Sequence, residues 1–262
     1  MKRLLYLLPV TLTLYYTGVF AQQEISPIIT DRPDQTEAPA TVPKGWFQIE
    51  IGGAVENDRI KSPGDEPVTY HNITYNTTLL KYGVTDRFEL RLIQELLETR
   101  IQKETIAEGL SPLAIGMKIS LLEEKGIIPQ TSLIAHVNSR TGARDFKPSS
   151  AAPDFRFTFC HTLSDVFALS YNLGAEWNGE DAVSTAIYTL SLGISLPKSF
   201  GLFIELYGFL PEHQTSDHRF DAGFTYLLTN NLQLDVSGGL GISEISPDNF
   251  LSAGLSWRFR AN

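Results

Sequence analysis

From Lys44 onward, apolar residues recur at every second position and the 3.6-residue period of a helix is nearly absent. Phe47, Ile49, Ile51 and Val55 share one parity, with Gln48 and Glu50 on the other. Phe88, Leu90 and Leu92 alternate with Glu89 and Arg91; Ile115, Met117, Ile119 and Leu121 alternate with Gly116, Lys118 and Ser120. The same alternation runs through 132–137, 154–159, 167–177, 188–196, 232–240 and 251–259. It is less clean at 202–206, where Phe203 breaks it, and at 220–226. A stretch rich in Thr and Tyr, 69–82, reads as a strand of ambiguous parity. The pattern predicts an all-β chain of about twelve strands.

The connections alternate in length. Gly83–Asp86, Glu123–Gly126, Leu163–Asp165, Pro197–Gly201 and Thr229–Asn231 are short and rich in turn residues. Between them fall the longer segments Asn57–Val68, Glu98–Ser111 and Ser139–Ala151, and shorter polar ones near 178–181, 211–216 and 243–248. Two unlike ends are what an antiparallel barrel produces. Alternation fits a soluble barrel or sandwich with its apolar parity inside, and equally an outer-membrane barrel with its apolar parity in lipid.

Composition favours the membrane reading. The polar parity is rich in Gly, Ser, Thr and Asn and carries charges of both signs, whereas a soluble surface carries more Lys and Glu. Phe47, Tyr82, Phe88, Phe167, Tyr226, Trp257 and Phe259 gather near the short turns, where aromatic rings suit a membrane interface. Only a closed barrel satisfies every backbone group of a sheet in lipid. The expected fold is therefore a transmembrane antiparallel β-barrel over 44–262, with both termini periplasmic.

The N-terminus adds the compartment. Met1, Lys2 and Arg3 precede an apolar run that ends at Val19–Ala21. A positive start, an apolar middle and a small-residue ending describe a secretory signal peptide over 1–21; a membrane anchor is the competing reading. No later stretch approaches the roughly 18 apolar residues of a membrane helix. A net charge of -9 and a pI near 5.1 argue against nucleic acid as a partner. Cys160 stands alone, so no intrachain disulfide forms. The five histidines are scattered without metal-ligand spacing. No cofactor and no metal are expected.

Several blocks resemble a known family. Ile29–Gly53, "ITDRPDQTEAPATVPKGWFQIEIGG", is similar to the start of the mature chain in a family of predicted outer-membrane barrels. That family is labelled "transporter" or "putative MetA-pathway of phenol degradation". "LLKYGVTDRFELRL" at 79–92 resembles its second block; "LAIGMKISLLEE", "FIELYGFLP" and "GLSWRF" resemble later ones. The resemblance spans most of the mature chain and implies import of small, in some members aromatic, solutes, with no catalytic content. The rival is a non-transporting barrel with a binding or structural role. The expected partners are outer-membrane lipid, a small-molecule solute and the barrel-assembly machinery.

The inward parity nominates Glu50, Glu89, Arg91, Lys118, Asp154, Arg156, Glu176, Glu205, Asp221, Asp235 and Arg258 as lumen-lining residues. They read either as a salt-bridge network filling the barrel or as a solute path. His136, near Asn138 and Ser139, raises an outer-membrane lipid hydrolase, but no companion serine stands out. The remaining feature is "TDRPDQTE", 30–37, within a lead of 22–43. Pro33, Pro39 and Pro43 keep the lead extended. Asp31, Arg32, Asp34 and Glu37 would dock at the periplasmic mouth and pair with lumen charges; a solvated linker is the alternative.

Overall fold

The computed structural model describes residues 26–60 and 66–260; the signal peptide expected over 1–21 lies outside the described residues. Secondary structure among them is strand and turn. The strands are β1 (Trp46–Ile60), β2 (Val68–Thr85), β3 (Phe88–Ile101), β4 (Glu104–Leu110), β5 (Ala114–Leu122), β6 (Gln130–Asn138) and β7 (Ala152–Thr162). They continue as β8 (Phe167–Trp177), β9 (Ser184–Ser195), β10 (Phe200–Pro211), β11 (Asp217–Thr229), β12 (Leu232–Gly241) and β13 (Asn249–Arg260).

Every pairing is antiparallel, and β1 pairs with β13 from Trp46↔Arg260 to Asn57↔Asn249, so the sheet closes on itself. The ring has twelve strands, because β4 leaves it: β3 pairs with β5 through Phe88–Ile93 and with β4 through Leu96–Ile101. The segment Glu98–Ser111, expected as a loop, is instead the upper part of β3 and a short returning strand. Its sequence hides this, since "ETIAEGL" places its two Glu four residues apart, on the same parity as Ile106 and Leu110, and has no alternating apolar face.

The barrel is turned inside out relative to a soluble one. Leu90, Leu92, Ile115, Leu190, Ile204, Phe224 and Leu251 point outward and are exposed, while Glu50, Glu89, Lys118, Asn172 and Asp221 point inward and are buried. Outer-membrane barrels carry short periplasmic turns and longer extracellular loops. That rule puts the turns at 86–87, 163–166, 196–199 and 230–231 in the periplasm, together with both termini. Aromatic contacts cluster at this end: Phe47 with Tyr82 and Phe259, Trp257 with Phe259, Phe200 with Tyr226, and Phe159 with Tyr171, at centroid distances of 4.5–5.7 Å. They form the girdle expected where lipid meets water.

Phe203, the residue that breaks the alternation, faces inward and is buried. It stands opposite Gly223, where a Cβ would lie 2.4 Å from its ring. The glycine leaves the space that the inward ring occupies.

Replacing outward-facing Leu190 or Ile204 with Arg is expected to cost roughly 2–4 kcal/mol in reversible unfolding from lipid, the cost of a cation near the midplane; their replacement with Ala should cost less. A cysteine at Asp145, in the 139–151 loop, should react with an impermeant maleimide on intact cells in a Cys160→Ser background. One at Asp165, in a short turn, should stay unlabelled, and the reverse pattern would invert the orientation.

Candidate functional site

The chain ahead of β1 runs through the inside of the barrel. It enters at the periplasmic end, where Arg258 donates to the Ser26 carbonyl at 2.6 Å and Ile28 N–H donates to the Asn230 carbonyl at 2.8 Å. It climbs past Gln48, turns at Arg32–Gln35, and descends past Asn172, Ser132 and Glu89. Lys44 N–H reaches Asp86 in the β2–β3 turn at 3.1 Å, and β1 begins. The two limbs are tied together where Ala38 N–H donates to Asp31 at 3.1 Å. The octet thus sits deeper than the periplasmic mouth, because the charges able to pair with it stand in the middle of the strands.

Asp31 is the central anchor. Lys81 and Arg91 donate to its Oδ2 at 2.8 Å each, and Lys118 donates to its Oδ1 at 2.9 Å. Lys81 and Arg91 are register partners on β2 and β3, and like charges directly across a sheet repel. One carboxylate between them turns that repulsion into attraction. Burial opposes the charge on Asp31, but Lys118, Lys81 and Arg91 outweigh it and hold the carboxyl well below the usual carboxylate range.

Glu50 accepts the N–H groups of Asp31 and Arg32, each at 3.0 Å, and pairs with Lys81. Glu89 accepts Val42 N–H at 2.7 Å. Glu37 takes Arg91 Nη2 at 2.6 Å, while Asn172 accepts from its N–H and donates to its carbonyl at 2.7 and 3.0 Å. Across the lumen Arg32 donates to Asp235 at 2.9 Å and to Ser252 at 3.0 Å. Its guanidinium lies in a slot: a Cβ on Gly52 or Gly254, themselves register partners, would stand 2.2–2.3 Å from it.

The eleven lumen candidates all face inward, and the octet gathers most of them. Glu50, Glu89, Arg91, Lys118, Glu205 and Asp235 contact the threaded segment directly, and Arg156 reaches Gln35 O at 3.4 Å and Glu37 at 4.0 Å. Arg258 holds its entry. Asp154 holds His136 Nδ1 at 3.0 Å, and Glu176 is its register partner. Asp221 stands beside Glu205. Lys81 joins them, although the alternation in sequence does not single it out. A bulge at Thr74/Asn76 shifts the parity of β2 partway along, so no single alternation shows it facing inward. His136 has both ring nitrogens engaged, Nδ1 by Asp154 and Nε2 by Arg91 at 3.0 Å, and Asn138 turns to the Ala152 carbonyl. No serine hydrogen-bonds this histidine among the described residues.

Above the turn at Arg32–Gln35 the lumen opens outward. A cavity of about 370 Å3 is floored by Arg32–Gln35 and walled on one side by Tyr207, Phe209 and Phe250. A second, of about 380 Å3, lies over Glu37 beside Ile93, Leu97, Phe146 and Arg156.

Residues 30–259 match the family described as "Putative MetA-pathway of phenol degradation". The chain belongs to that family. The match begins at Thr30, so the threaded octet lies inside it along with the barrel. An outer membrane channel from Pseudomonas putida F1 superposes with a TM-score of 0.66 at 15% identity, covering 84% of this chain and 97% of that one. The translocator domain of the autotransporter NalP from Neisseria meningitidis gives 0.53 at 10% identity, covering 81% and 88%. The transport unit of the autotransporter AIDA-I from Escherichia coli gives 0.52 at 11%, covering 83% and 90%. At these identities the likeness is one of fold, and the fold is an outer-membrane β-barrel. No curated protein sequence matches the chain.

Gly254→Ala should displace Arg32 from Asp235 and loosen the turn of this family member's threaded segment. A cysteine at Gln35 should then react with a maleimide about tenfold faster than in the parent, equivalent to about 1.4 kcal/mol. An unchanged rate would mean that the slot does not hold the segment.

Proposed function

We propose that this protein is an outer-membrane channel for small solutes of apolar or aromatic character, exported through a cleaved signal peptide and held closed by its own N-terminal segment. The observation that carries the reading is the threaded loop itself: a plug seated under an outward-opening vestibule and held by ion pairs and hydrogen bonds. Two cavities near 370–380 Å3 fall within the range of small-molecule sites, and Tyr207, Phe209 and Phe250 offer an aromatic wall there. Membership of a family whose description concerns phenol degradation supports an aromatic solute. The Pseudomonas putida F1 protein, whose fold this chain shares, is described as an outer membrane channel. The role is passive rather than enzymatic. Lipid meets the outward apolar face, and the barrel-assembly machinery inserts it.

A plug that can leave must be held by contacts water can replace. Of the threaded segment's apolar side chains, Ile28, Pro33, Pro39 and Val42 are buried, and the remaining anchors are polar. Lifting it exchanges protein hydrogen bonds for hydrogen bonds to water, with a modest net change per bond.

Deleting residues 30–37 should raise the swelling rate of proteoliposomes for a panel of small solutes, aromatic ones included, while the barrel still folds. Swelling equal to the parent's in a folded deletion variant would favour the non-transporting barrel. A rise confined to hydrophilic solutes would remove the aromatic assignment and keep the channel.

A further inference from the structure

The ring order sets two walls against each other. With twelve strands, β3 stands across from β10 and β5 across from β11. The first wall carries the cations Lys81, Arg91 and Lys118; the second carries Glu205, Asp221 and Asp235. Each wall contains one like-charge pair in direct register: Lys81↔Arg91 on the first and Glu205↔Asp221 on the second. The plug answers the first pair with Asp31. To the second it presents another carboxylate, Asp34.

The surroundings of Asp34 are as follows. Ser191 on β9 donates to its Oδ2 at 3.0 Å. Ser191 is in register with Glu205 on β10, and Glu205 with Asp221 on β11, so two carboxylates stand in line beside it, while the next two residues of its own segment, Gln35 and Thr36, bond Glu205. Arg32, beside it in sequence, is turned to Asp235 on β12. Arg219 on β11 is committed to Glu56 and Asp217. Glu205 is satisfied by Gln35 N–H and the Thr36 hydroxyl. Asp221 is fully buried, and both its oxygens lack a donor. It is the register partner of Glu205 on the adjacent strand. Two carboxylates are both acceptors, so only a proton joins them. The hydroxyls of Ser237 and Ser256, on the neighbouring strands, are likewise buried without a partner.

We propose that Asp34, Glu205 and Asp221 form a proton-operated latch on the plug. A proton shared in the cluster lets the turn of the plug lie against β10 and β11. Its release to water leaves like charges side by side on the wall, and Asp34, on the movable segment, is driven off it. Burial first, and then the adjacent Glu205 carboxylate, push Asp34 well above the usual carboxylate range. A carboxyl raised in the seated state favours seating at low pH and loses that contribution as pH rises through its seated value. Asp31 works the other way: its carboxyl is held low, so its anchor persists across neutral pH. The latch would therefore unlock with rising pH while the Asp31 anchor holds.

This deepens the channel reading and rests on it. The test is conductance of the mature chain in planar bilayers from pH 5 to pH 9, with a parallel measurement of maleimide labelling at a Gln35→Cys site in a Cys160→Ser background. Labelling rates are divided by the rate on a free thiol, because maleimide itself reacts faster as pH rises. The parent should rise roughly tenfold or more in both across the range, one pKa unit of linkage being one factor of ten. Asp34→Asn and Asp221→Asn each remove one charge from the cluster and should flatten both profiles near the parent's low-pH value. His136 is untouched in both variants, so a rise due to that histidine would persist in them. A flat parent profile, or an Asp34→Asn profile as steep as the parent's, overturns the latch. The variant lacking 30–37 should conduct at every pH. If it conducts at none, the channel reading falls, and the labelling profiles still decide the latch.

Discussion

One carboxylate, Asp31, governs how the interior of this barrel is organised. Strands β2, β3 and β5 bring Lys81, Arg91 and Lys118 to one patch of the lumen wall, with Lys81 and Arg91 in direct register. Glu50 and Glu89 are close, but their oxygens are also engaged by backbone N–H groups of the threaded segment. The cations sit within 2.8–2.9 Å of a group the strands do not supply. Buried charge without a partner costs several kcal/mol, so the wall alone is an incomplete structure. The N-terminal segment completes it, and wall and segment define each other.

The sequence shows the wall more readily than the segment. Period-two alternation from Lys44 onward yields the strands, and the polar parity yields Glu50, Glu89, Arg91, Lys118, Glu205, Asp221 and Asp235, because one side of every pleat must meet lipid. Where a bulge interrupts the pleat the reading stops. Lys81 lies beyond the Thr74/Asn76 bulge, and with it goes half of the like-charge pair that explains Asp31. Strand β4 was invisible for a different reason. It stands outside the ring, pairs only with the top of β3, and alternates weakly. The depth of the octet was beyond reach too. It depends on which residues stand across from which, and register is a pairwise property that a single chain's alternation does not contain. Gly52 and Gly254 read singly as ordinary strand glycines; only as register partners do they make a slot for Arg32.

The family membership and the barrel likeness agree with that reading at the level of fold. The interior shows how one fold can hold a plug of its own chain. Plug and wall meet mainly through charges and amides: Asp31 to three cations, Arg32 to Asp235, Asn172 to both backbone groups of Glu37. Such contacts are specific in geometry and modest in net free energy. An apolar plug of the same size would be held by area, with no particular register and no easy exit into water.

The two aspartates of the octet carry that logic to its end. Asp31 and Asp34 lie three residues apart, yet one meets three cations and the other lies on Ser191, in line with the carboxylates of Glu205 and Asp221. If the segment served only to fill space and neutralise the wall, a neutral or basic residue at 34 would do so with less opposition, because Glu205 and Asp221 already face each other there. An acidic residue at that point makes seating depend on a proton, whereas an acidic residue at Asp31 makes seating independent of one across neutral pH. The segment therefore has a fixed end and a conditional end. Its turn at Arg32–Gln35, the part that floors the vestibule, lies between Asp31 and the Glu205 contact, where release of the conditional end moves it first.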